Sequence, residues 1–412
     1  MLSPATTPPR FPTLVLLSGL SVLTLNMFVP SLSAIAASFA VDYGVVTMAV
    51  AAYAGMSALL QLVVGPLSDR FGRRPVLLIS MALFALASLG CALAPSIESF
   101  LACRMLQGAV VAGNAVSMAV VRDSAPPQKA ASLIGYLAMA WAVVPMLGPV
   151  LGGTLDGLFG WRASFWTFTG LGLLAWMLAW LDLGETNRNP SRTFGQQFRA
   201  YPDLFRSRRF WGYALCMTFS TGGFYIFIGG VPLVATTLFA MSPELLGFCM
   251  GTITAGFVFG SFLSGRYATR FEMTGIILIG RLLACTGPLA GLTILAAGIV
   301  DPVTLFGACM FVGVGNGLTM PSASSGAMSV RPRLAGSAAG MAGAMVVGGG
   351  GALSALTGWL ITPANAPFML LGLMFAASGV SLLAILAVRR IDRREGPPGT
   401  PAEDDAVSSP DA

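Results

Sequence analysis

The segment Gly65-Pro-Leu-Ser-Asp-Arg-Phe-Gly-Arg-Arg74 places four charged residues within ten positions of a chain that is otherwise strongly apolar. It lies where two apolar runs, 45–67 and 75–94, meet, and each run is long enough to cross about 30 Å of hydrocarbon as a helix. Of the 412 residues, 55% are hydrophobic and 10% are charged. About a quarter of the residues of a soluble globule carry charge, so the chain is predicted to be a membrane protein.

Twelve such runs occupy most of the sequence. They are predicted at 14–37, 45–67, 75–94, 99–121, 132–155, 163–183, 210–233, 244–264, 274–297, 303–328, 335–360 and 366–388. The runs are about twice the length of a barrel strand and show no alternation of apolar and polar residues. The predicted fold is an all-α polytopic membrane protein with twelve transmembrane helices.

The longest connection between these runs is rich in arginine, asparagine and serine, and it divides the chain into halves of six helices. A short pattern recurs across the division, because Leu67-Ser-Asp-Arg70 returns 196 residues later as Leu263-Ser-Gly-Arg266. Such parallel repeats are typical of transporters in which two lobes enclose a substrate site. The predicted parts are an N-terminal segment (1–13), two pseudo-symmetric lobes (14–183 and 210–388), a linker (184–209) and a tail (389–412) that is disordered after Arg394.

The distribution of basic residues predicts the orientation. If the N-terminus is cytoplasmic, only Arg104, Arg162 and Arg281 of the 23 basic residues lie outside the inward-facing segments, which leaves 20 of them inside. The positive-inside rule then predicts that both termini, the linker and the tail are cytoplasmic. The net charge of +6 is explained by this orientation and does not indicate nucleic-acid binding.

The segment Gly65–Arg74, continued by Pro-Val-Leu, resembles the complete signature loop of the major facilitator superfamily. Three further segments are similar to the bicyclomycin and chloramphenicol resistance branch of its drug:proton antiporters: Asn26-Met-Phe-Val-Pro-Ser-Leu32, Arg104-Met-Leu-Gln-Gly108 and Pro145-Met-Leu-Gly-Pro-Val-Leu-Gly-Gly153. The resemblance implies the major facilitator fold and a bacterial inner-membrane protein. It implies a monomer that exports small amphipathic drugs by alternating access in exchange for protons, without a cofactor or metal.

The charged segment has a physical interpretation of its own. Asp69 and Arg73 are four residues apart and could pair on a short helical turn, while Gly72 permits a tight bend. The resemblance implies a cytoplasmic gate that also includes Asp123, which lies at the inner end of the fourth predicted helix. The gate residues are then Gly65, Asp69, Arg70, Gly72, Arg73, Arg74 and Asp123. The alternative is a basic turn that serves topology alone.

Polar residues inside the predicted helices indicate a substrate path. Arg104, Gln107, Asn114 and Met118 are spaced so that they lie along one helical stripe, and polar groups that face lipid are costly. Arg104 is the foremost candidate for a substrate-binding residue, although its side chain could instead extend to the outer membrane–water interface. The predicted cavity residues, some of them apolar and adaptable, are Asn26, Met27, Tyr53, Gln61, Arg104, Gln107, Asn114, Met118, Trp141, Phe224, Tyr225 and Asn316. Arg281 is predicted to be structural.

The fifth predicted helix carries a pattern that resembles the antiporter motif of the superfamily. Its residues are Pro145, Gly148, Pro149, Gly152 and Gly153. Small residues let helices approach closely and proline bends a helix, so we expect contacts between the lobes here. Close packing with no role in transport is the alternative.

The positions of the acidic residues bear on proton coupling. None of the 17 acidic residues lies deep inside a predicted helix, and Asn26 stands where related drug exporters usually carry an acid. Asparagine cannot titrate. Asp123 is therefore the leading candidate for the coupling acid, followed by Asp42 and Glu244.

Two other classes of function stay open. A facilitator or exporter of a neutral metabolite, such as a nucleoside or sugar, would need no titratable site. A membrane sensor or a lipid-modifying enzyme could also hold buried polar groups. The enzyme is disfavoured because the chain has no histidine, no cluster of metal ligands and no nucleophile beside a base. The six cysteines are scattered singly through apolar stretches, which is typical of packing.

Overall fold

A computed structural model describes residues 9–187, 204–267, 270–331 and 334–395, and within these ranges the regular structure is entirely helical. The first half contains α1 (Phe11–Asn26), α2 (Leu32–Phe39), α3 (Tyr43–Phe71), α4 (Arg73–Leu93), α5 (Ile97–Gln107), α6 (Val111–Ser124), α7 (Pro127–Phe159) and α8 (Arg162–Asp182). The second half contains α9 (Arg208–Phe239), α10 (Pro243–Tyr267), α11 (Met273–Ala296), α12 (Pro302–Ser329), α13 (Ala335–Leu360) and α14 (Ala366–Glu395).

Two pairs of helices form single bent segments. A 3₁₀ turn at Val29–Ser31 joins α1 to α2, where Pro30 cannot donate a backbone hydrogen bond, and another at Gly108–Val110 joins α5 to α6. Counted in this way, the described ranges contain twelve membrane-length segments. Eleven of them are long and apolar enough to cross a membrane, and the remaining one is the 33-residue α7. The predicted fold is confirmed.

The predicted bounds differ from the observed ones mainly where helices run into charged sequence. Helix α3 continues past the predicted end at 67 to Phe71, and α14 continues past 388 to Glu395. A helix can project beyond the hydrocarbon, because water solvates the charged side chains of its last turns. Part of the predicted N-terminal segment, most of the linker and the end of the tail lie outside the described residues, at 1–8, 188–203 and 396–412.

The two lobes repeat one structural detail that their pseudo-symmetry predicts. In the first lobe, the Asp182 carboxylate at the end of α8 accepts hydrogen bonds from the Arg10 backbone N–H at 2.8 Å and the Thr13 hydroxyl at 2.7 Å. In the second lobe, Asp392 near the end of α14 forms an ion pair of 3.3 Å with Arg209 at the start of α9. An acid in the last helix of each lobe therefore binds the start of the first helix.

The outer surface of the bundle is apolar. Ile79, Leu158 and Leu383 are 67–68% exposed, although each is a large aliphatic side chain. Such a surface is unfavourable in water and matches the hydrocarbon of a bilayer.

The lobes contact each other along two pairs of helices. We call the end that carries Gly65–Arg74 the motif end, and the opposite one the far end. Helix α3 packs along α13, and α7 packs along α10. At the far end the Tyr43 hydroxyl donates to the Gly229 carbonyl at 2.9 Å, and the Ser33 and Thr236 hydroxyls lie 3.3 Å apart.

The buried apolar residues follow the same division. One core cluster crosses both lobes and includes Phe28, Tyr225 and Leu370. A second cluster, which includes Phe210 and Ile385, belongs to the motif half of the second lobe alone. The lobes are therefore joined by a continuous core toward the far end, which closes the bundle there.

Candidate functional site

A cavity of about 340 Å³ lies between the lobes, roughly halfway along their helices. This volume falls within the roughly 300–1,000 Å³ typical of small-molecule sites. The first lobe contributes Val22 and Pro145, and the second lobe contributes Thr221, Phe224, Ile253, Thr254, Phe257, Gly313, Asn316, Met320 and Val346. No charged side chain is among these described lining residues, so the wall is apolar with three polar positions.

The three polar positions differ in their hydrogen bonding. Asn316 Oδ1 accepts from Ser220 Oγ at 2.8 Å and from Arg281 Nη2 at 2.9 Å. The Thr221 hydroxyl donates to the Met320 sulfur at 3.4 Å. The buried hydroxyl of Thr254 has no hydrogen-bond partner among the described residues. A buried polar group without a partner costs about 1–3 kcal/mol, and a ligand in the cavity could supply the missing bond.

Of the predicted cavity residues, Phe224 and Asn316 line this cavity. Gln61 lies at the contact between the lobes, where its Oε1 faces Gly343 of α13, and is not among the lining residues. Tyr225 is buried and its ring packs on Gly350, within the second lobe. The side chain of Trp141 lies outside the described part of the chain.

Arg104, Gln107 and Tyr53 make their contacts inside the first lobe and are not among the residues that line this cavity. The guanidinium of the fully buried Arg104 lies 4.0 Å from the ring centroid of Phe28 and 4.9 Å from that of Tyr53. Its Nη1 donates to Gln107 Oε1 at 2.5 Å. The faces of these aromatic rings and the side-chain carbonyl of Gln107 stabilise the Arg104 cation away from water. Helical spacing in the sequence could not predict this, because it does not show which neighbouring helices a face contacts.

The remaining predicted cavity residues are likewise not among those that line the cavity. Asn26 is buried, and its Nδ2 donates to the Val22 carbonyl at 2.8 Å within α1. Met27 is buried beside it, whereas Asn114 and Met118 are half-buried on α6 and are not among the lining residues. The side-chain oxygens of Asn26 and Asn114 are buried and have no hydrogen-bond partner among the described residues.

The residues of the antiporter motif hold α7 against two neighbours. A methyl group on Gly148 would lie 3.1 Å from the Asn26 side chain, and one on Gly152 would overlap the Met27 carbonyl of the same lobe. A methyl group on Gly153 would overlap the Pro243 carbonyl of α10 in the other lobe. The motif therefore makes contacts both within its lobe and between the lobes.

The signature segment is helical almost to its end, which corrects its placement in a loop. Gly65 to Phe71 form the last two turns of α3, and only Gly72, at φ 96°, breaks the helix before α4 begins at Arg73. The positive φ explains the glycine, because other residues adopt this conformation at a cost. Asp69 and Arg73 pair across this bend and not along one helical turn.

Arg73 binds acids from two helices. Its Nη1 lies 2.5 Å from Asp69 Oδ1, and its Nε donates to Asp123 Oδ2 at 3.1 Å. Arg73 also donates to the Ser68 hydroxyl at 2.6 Å. The guanidinium of Arg70 lies over the Phe71 ring, at 5.4 Å from its centroid. The predicted association of Asp69, Arg73 and Asp123 is thus present in the structure.

Sequence reasoning missed Glu185, which follows α8. Its carboxylate oxygens accept from the backbone N–H groups of Arg73 at 2.9 Å and Arg74 at 3.1 Å. An acid at this position satisfies free N–H groups and interacts favourably with the helix dipole at the start of α4. The neighbouring Asn187 donates to the Asp69 carbonyl at 2.7 Å. The start of the linker is therefore bound to the signature segment.

Sequence reasoning also missed Asp156. The predicted helix ends at 155, but α7 continues to Phe159, so Asp156 lies within it. The residue is 9% exposed, and its Oδ2 has no hydrogen-bond partner among the described residues. A methyl group on the adjacent Gly157 would overlap the carboxylate of Glu244, which belongs to the second lobe. Two acids from opposite lobes therefore lie close together at the far end.

Comparison with known proteins identifies the family to which this architecture belongs. A family model described as Major Facilitator Superfamily matches residues 14–355. The chain belongs to the major facilitator superfamily. Members of this superfamily are transporters and not enzymes, so this protein is a membrane transporter with two six-helix lobes.

Individual relatives are named for drug resistance. The multidrug resistance protein MdtL of Escherichia coli is 32% identical over 378 residues, which cover 88% of this chain and 91% of MdtL. A chloramphenicol resistance protein of Pseudomonas aeruginosa is 30% identical over 332 residues, covering 77% and 76% of the two chains. A bacterial homolog to the human lysosomal transporter Spinster, solved in an inward-facing and occupied conformation, has a TM-score of 0.77 at 17% identity and covers 97% of this chain and 100% of its own.

Proposed function

We propose that this protein exports small amphipathic drugs, of the phenicol or bicyclomycin type, across the bacterial inner membrane. The observation that carries the proposal is the cavity between the lobes, with its apolar wall and few polar positions. An apolar site that contains a flexible side chain such as Met320 suits varied ligands of similar polarity. The names of the drug-resistance relatives favour the same class of substrate.

The proposed mechanism is alternating access by a monomer. The basic residues favour a cytoplasmic motif end, with both termini inside, so that the closed far end faces outward. Opening the far end requires α7 to separate from α10 and α3 from α13, as the lobes rotate about the cavity. The cluster of Asp69, Arg73 and Asp123 is proposed to act at the opposite gate, by holding the motif end closed when the far end opens.

Proton exchange is proposed as the driving force. A coupling acid must experience different surroundings in the two states of the transporter. Asp123 would do so if closure of the motif end brings the second lobe against its ion pair with Arg73. Asp156 would do so at the far end, because the acid beside it, Glu244, belongs to the other lobe.

Export can be tested in a host that lacks its own efflux pumps. Expression should raise the inhibitory concentration of chloramphenicol or bicyclomycin, and a protonophore should abolish ΔpH-driven drug uptake into everted vesicles. Phe224→Ala should lower drug uptake, because it removes an aromatic ring that lines the cavity. Phe248→Ala is the matched control, because Phe248 is 68% exposed on the outer surface. Vesicles that take up no drug, with the protein present at normal abundance, would overturn the proposal.

A facilitator or exporter of a neutral metabolite is the second candidate. The observation that favours it is the absence of charged side chains from the described cavity wall, because transport of a neutral metabolite without protons needs no titratable group there. Counterflow of a labelled nucleoside or sugar in proteoliposomes without a proton gradient would support it. Drug uptake that depends on ΔpH, together with no counterflow, would exclude it.

A further inference from the structure

We propose that Arg281 fixes Asn316 so that its amide N–H group faces the cavity, and that the site thereby selects uncharged solutes bearing hydrogen-bond acceptors over organic cations. This inference rests on the proposed export and specifies its substrate class. Arg281 is a positioning residue here, because it acts through Asn316 and is not among the residues that line the cavity.

The orientation of the Asn316 amide follows from its partners. Its Oδ1 accepts from Arg281 Nη2 at 2.9 Å and from Ser220 Oγ at 2.8 Å. An arginine guanidinium can only donate hydrogen bonds, so a flipped amide would bring its NH₂ group against another donor. The amide is therefore held in one orientation, with its oxygen directed toward Arg281 and its nitrogen free of protein acceptors among the described residues.

Arg281 is itself held in place. It is fully buried in α11, and its Nε donates to the Thr319 hydroxyl at 2.8 Å. Thr319 in turn donates to the Gly315 carbonyl at 2.8 Å. The guanidinium thus bridges α11 and α12 through two side chains, and one of these, Asn316, lines the cavity.

A second polar group on the cavity wall is available to a ligand. Thr254 on α10 is buried, and its hydroxyl has no hydrogen-bond partner among the described residues. Asn316 on α12 lines the same cavity. A solute with a carbonyl, amide or nitro oxygen could accept from the Asn316 amide and also satisfy the Thr254 hydroxyl, and bonds of this kind in an enclosed site favour matched ligands.

The charge around the cavity opposes a cation. No carboxylate lines it within the described part of the chain, and Arg281 forms no ion pair there. The guanidinium charge lies directly behind the Asn316 side chain, in surroundings where salt screens poorly. An organic cation in the cavity would lose its hydration, meet no anion and be repelled by Arg281.

The test compares an uncharged and a cationic probe in everted vesicles, with labelled chloramphenicol and tetraphenylphosphonium. The wild type should take up chloramphenicol at least tenfold faster than the cation. Asn316→Asp keeps the acceptor for Arg281 but removes the amide donor, so it should raise the KM for chloramphenicol about tenfold. Arg281→Gln removes the buried charge and should narrow the preference between the two probes.

Matched controls distinguish these effects from general damage. Thr254→Val should raise the KM for chloramphenicol, whereas Thr252→Val on the same helix should not, because the Thr252 hydroxyl already donates to the Cys249 carbonyl and does not line the cavity. The inference is overturned if the wild type takes up both probes equally, or if Asn316→Asp at normal abundance leaves the KM unchanged. No uptake of any drug by the wild type would instead contradict the proposed export.

Discussion

The carboxylate of Glu244 on α10 lies against Gly157 of α7, so the acid of one lobe stands beside Asp156 of the other. Asp156 has one buried carboxylate oxygen that finds no hydrogen-bond partner in the part of the chain that the structure describes. Two negative charges so placed repel each other and favour separation of the lobes at the far end. Because the two acids belong to different lobes, we expect separation of the lobes at the far end to part them, and protonation of either acid to weaken their repulsion.

Neutralising this pair should therefore alter gating. Asp156→Asn removes the repulsion, so we expect the far end to stay closed for longer and drug uptake into everted vesicles to slow by about threefold to tenfold. Labelling of a cysteine introduced at position 236 measures the opening of the far end and should also slow. Glu98→Gln, which changes an exposed acid in the first turn of α5 near the same end, is the control. Unchanged labelling and uptake in Asp156→Asn would contradict this role.

Substitution of Gly153 should have the opposite effect on the far end. In Gly153→Ala the added methyl group would overlap the Pro243 carbonyl, so α7 and α10 must move apart. We expect uptake to fall about tenfold while far-end labelling rises. Gly170→Ala is the matched control, because a methyl group there meets no atom within 4 Å. Equal uptake by the two variants would show that this contact does not limit transport.

The carboxylate of Glu185 should stabilise the first lobe at its motif end. Glu185→Gln weakens the hydrogen bonds that two backbone N–H groups at the start of α4 donate to this side chain. The substitution should lower the free energy of unfolding by about 1 kcal/mol, measured as a lower melting temperature of the purified protein. Glu272→Gln provides a comparison, since Glu272 precedes α11 without forming such a bond. Equal melting temperatures for the two variants would rule out the capping role.

Arg104 and Asn316 should differ in their kinetic signatures. Arg104 is enclosed by Phe28 and Tyr53 and does not line the cavity, so Arg104→Lys should lower stability and abundance but leave the KM for drug unchanged. Asn316→Asp should change the KM. A raised KM in folded Arg104→Lys protein, measured in proteoliposomes of equal protein content, would place Arg104 in the substrate path after all.

Several of these features were predictable because they depend on local sequence. The twelve apolar runs predicted the helices, since a bilayer demands about 20 apolar residues for each crossing. The four-residue spacing of Asp69 and Arg73 predicted their pairing on a helical turn, and the two residues do pair, although across the bend at Gly72. The repeated Leu-Ser-x-Arg pattern predicted two related lobes. The helical end of the signature segment was missed, because charge suggested a loop.

Which residues line the cavity depends on tertiary structure. Helical spacing correctly groups Arg104 and Gln107 on one face but cannot tell whether that face meets a cavity or the rings of neighbouring helices. It equally cannot reveal that Arg281 reaches Asn316, or that Glu244 approaches Asp156 across the lobes. The sequence alone determined that this chain is a two-lobed membrane protein, because hydrophobic length and charge act locally. Which polar groups meet was decided only when distant helices packed, because hydrogen bonds and ion pairs act over a few ångströms.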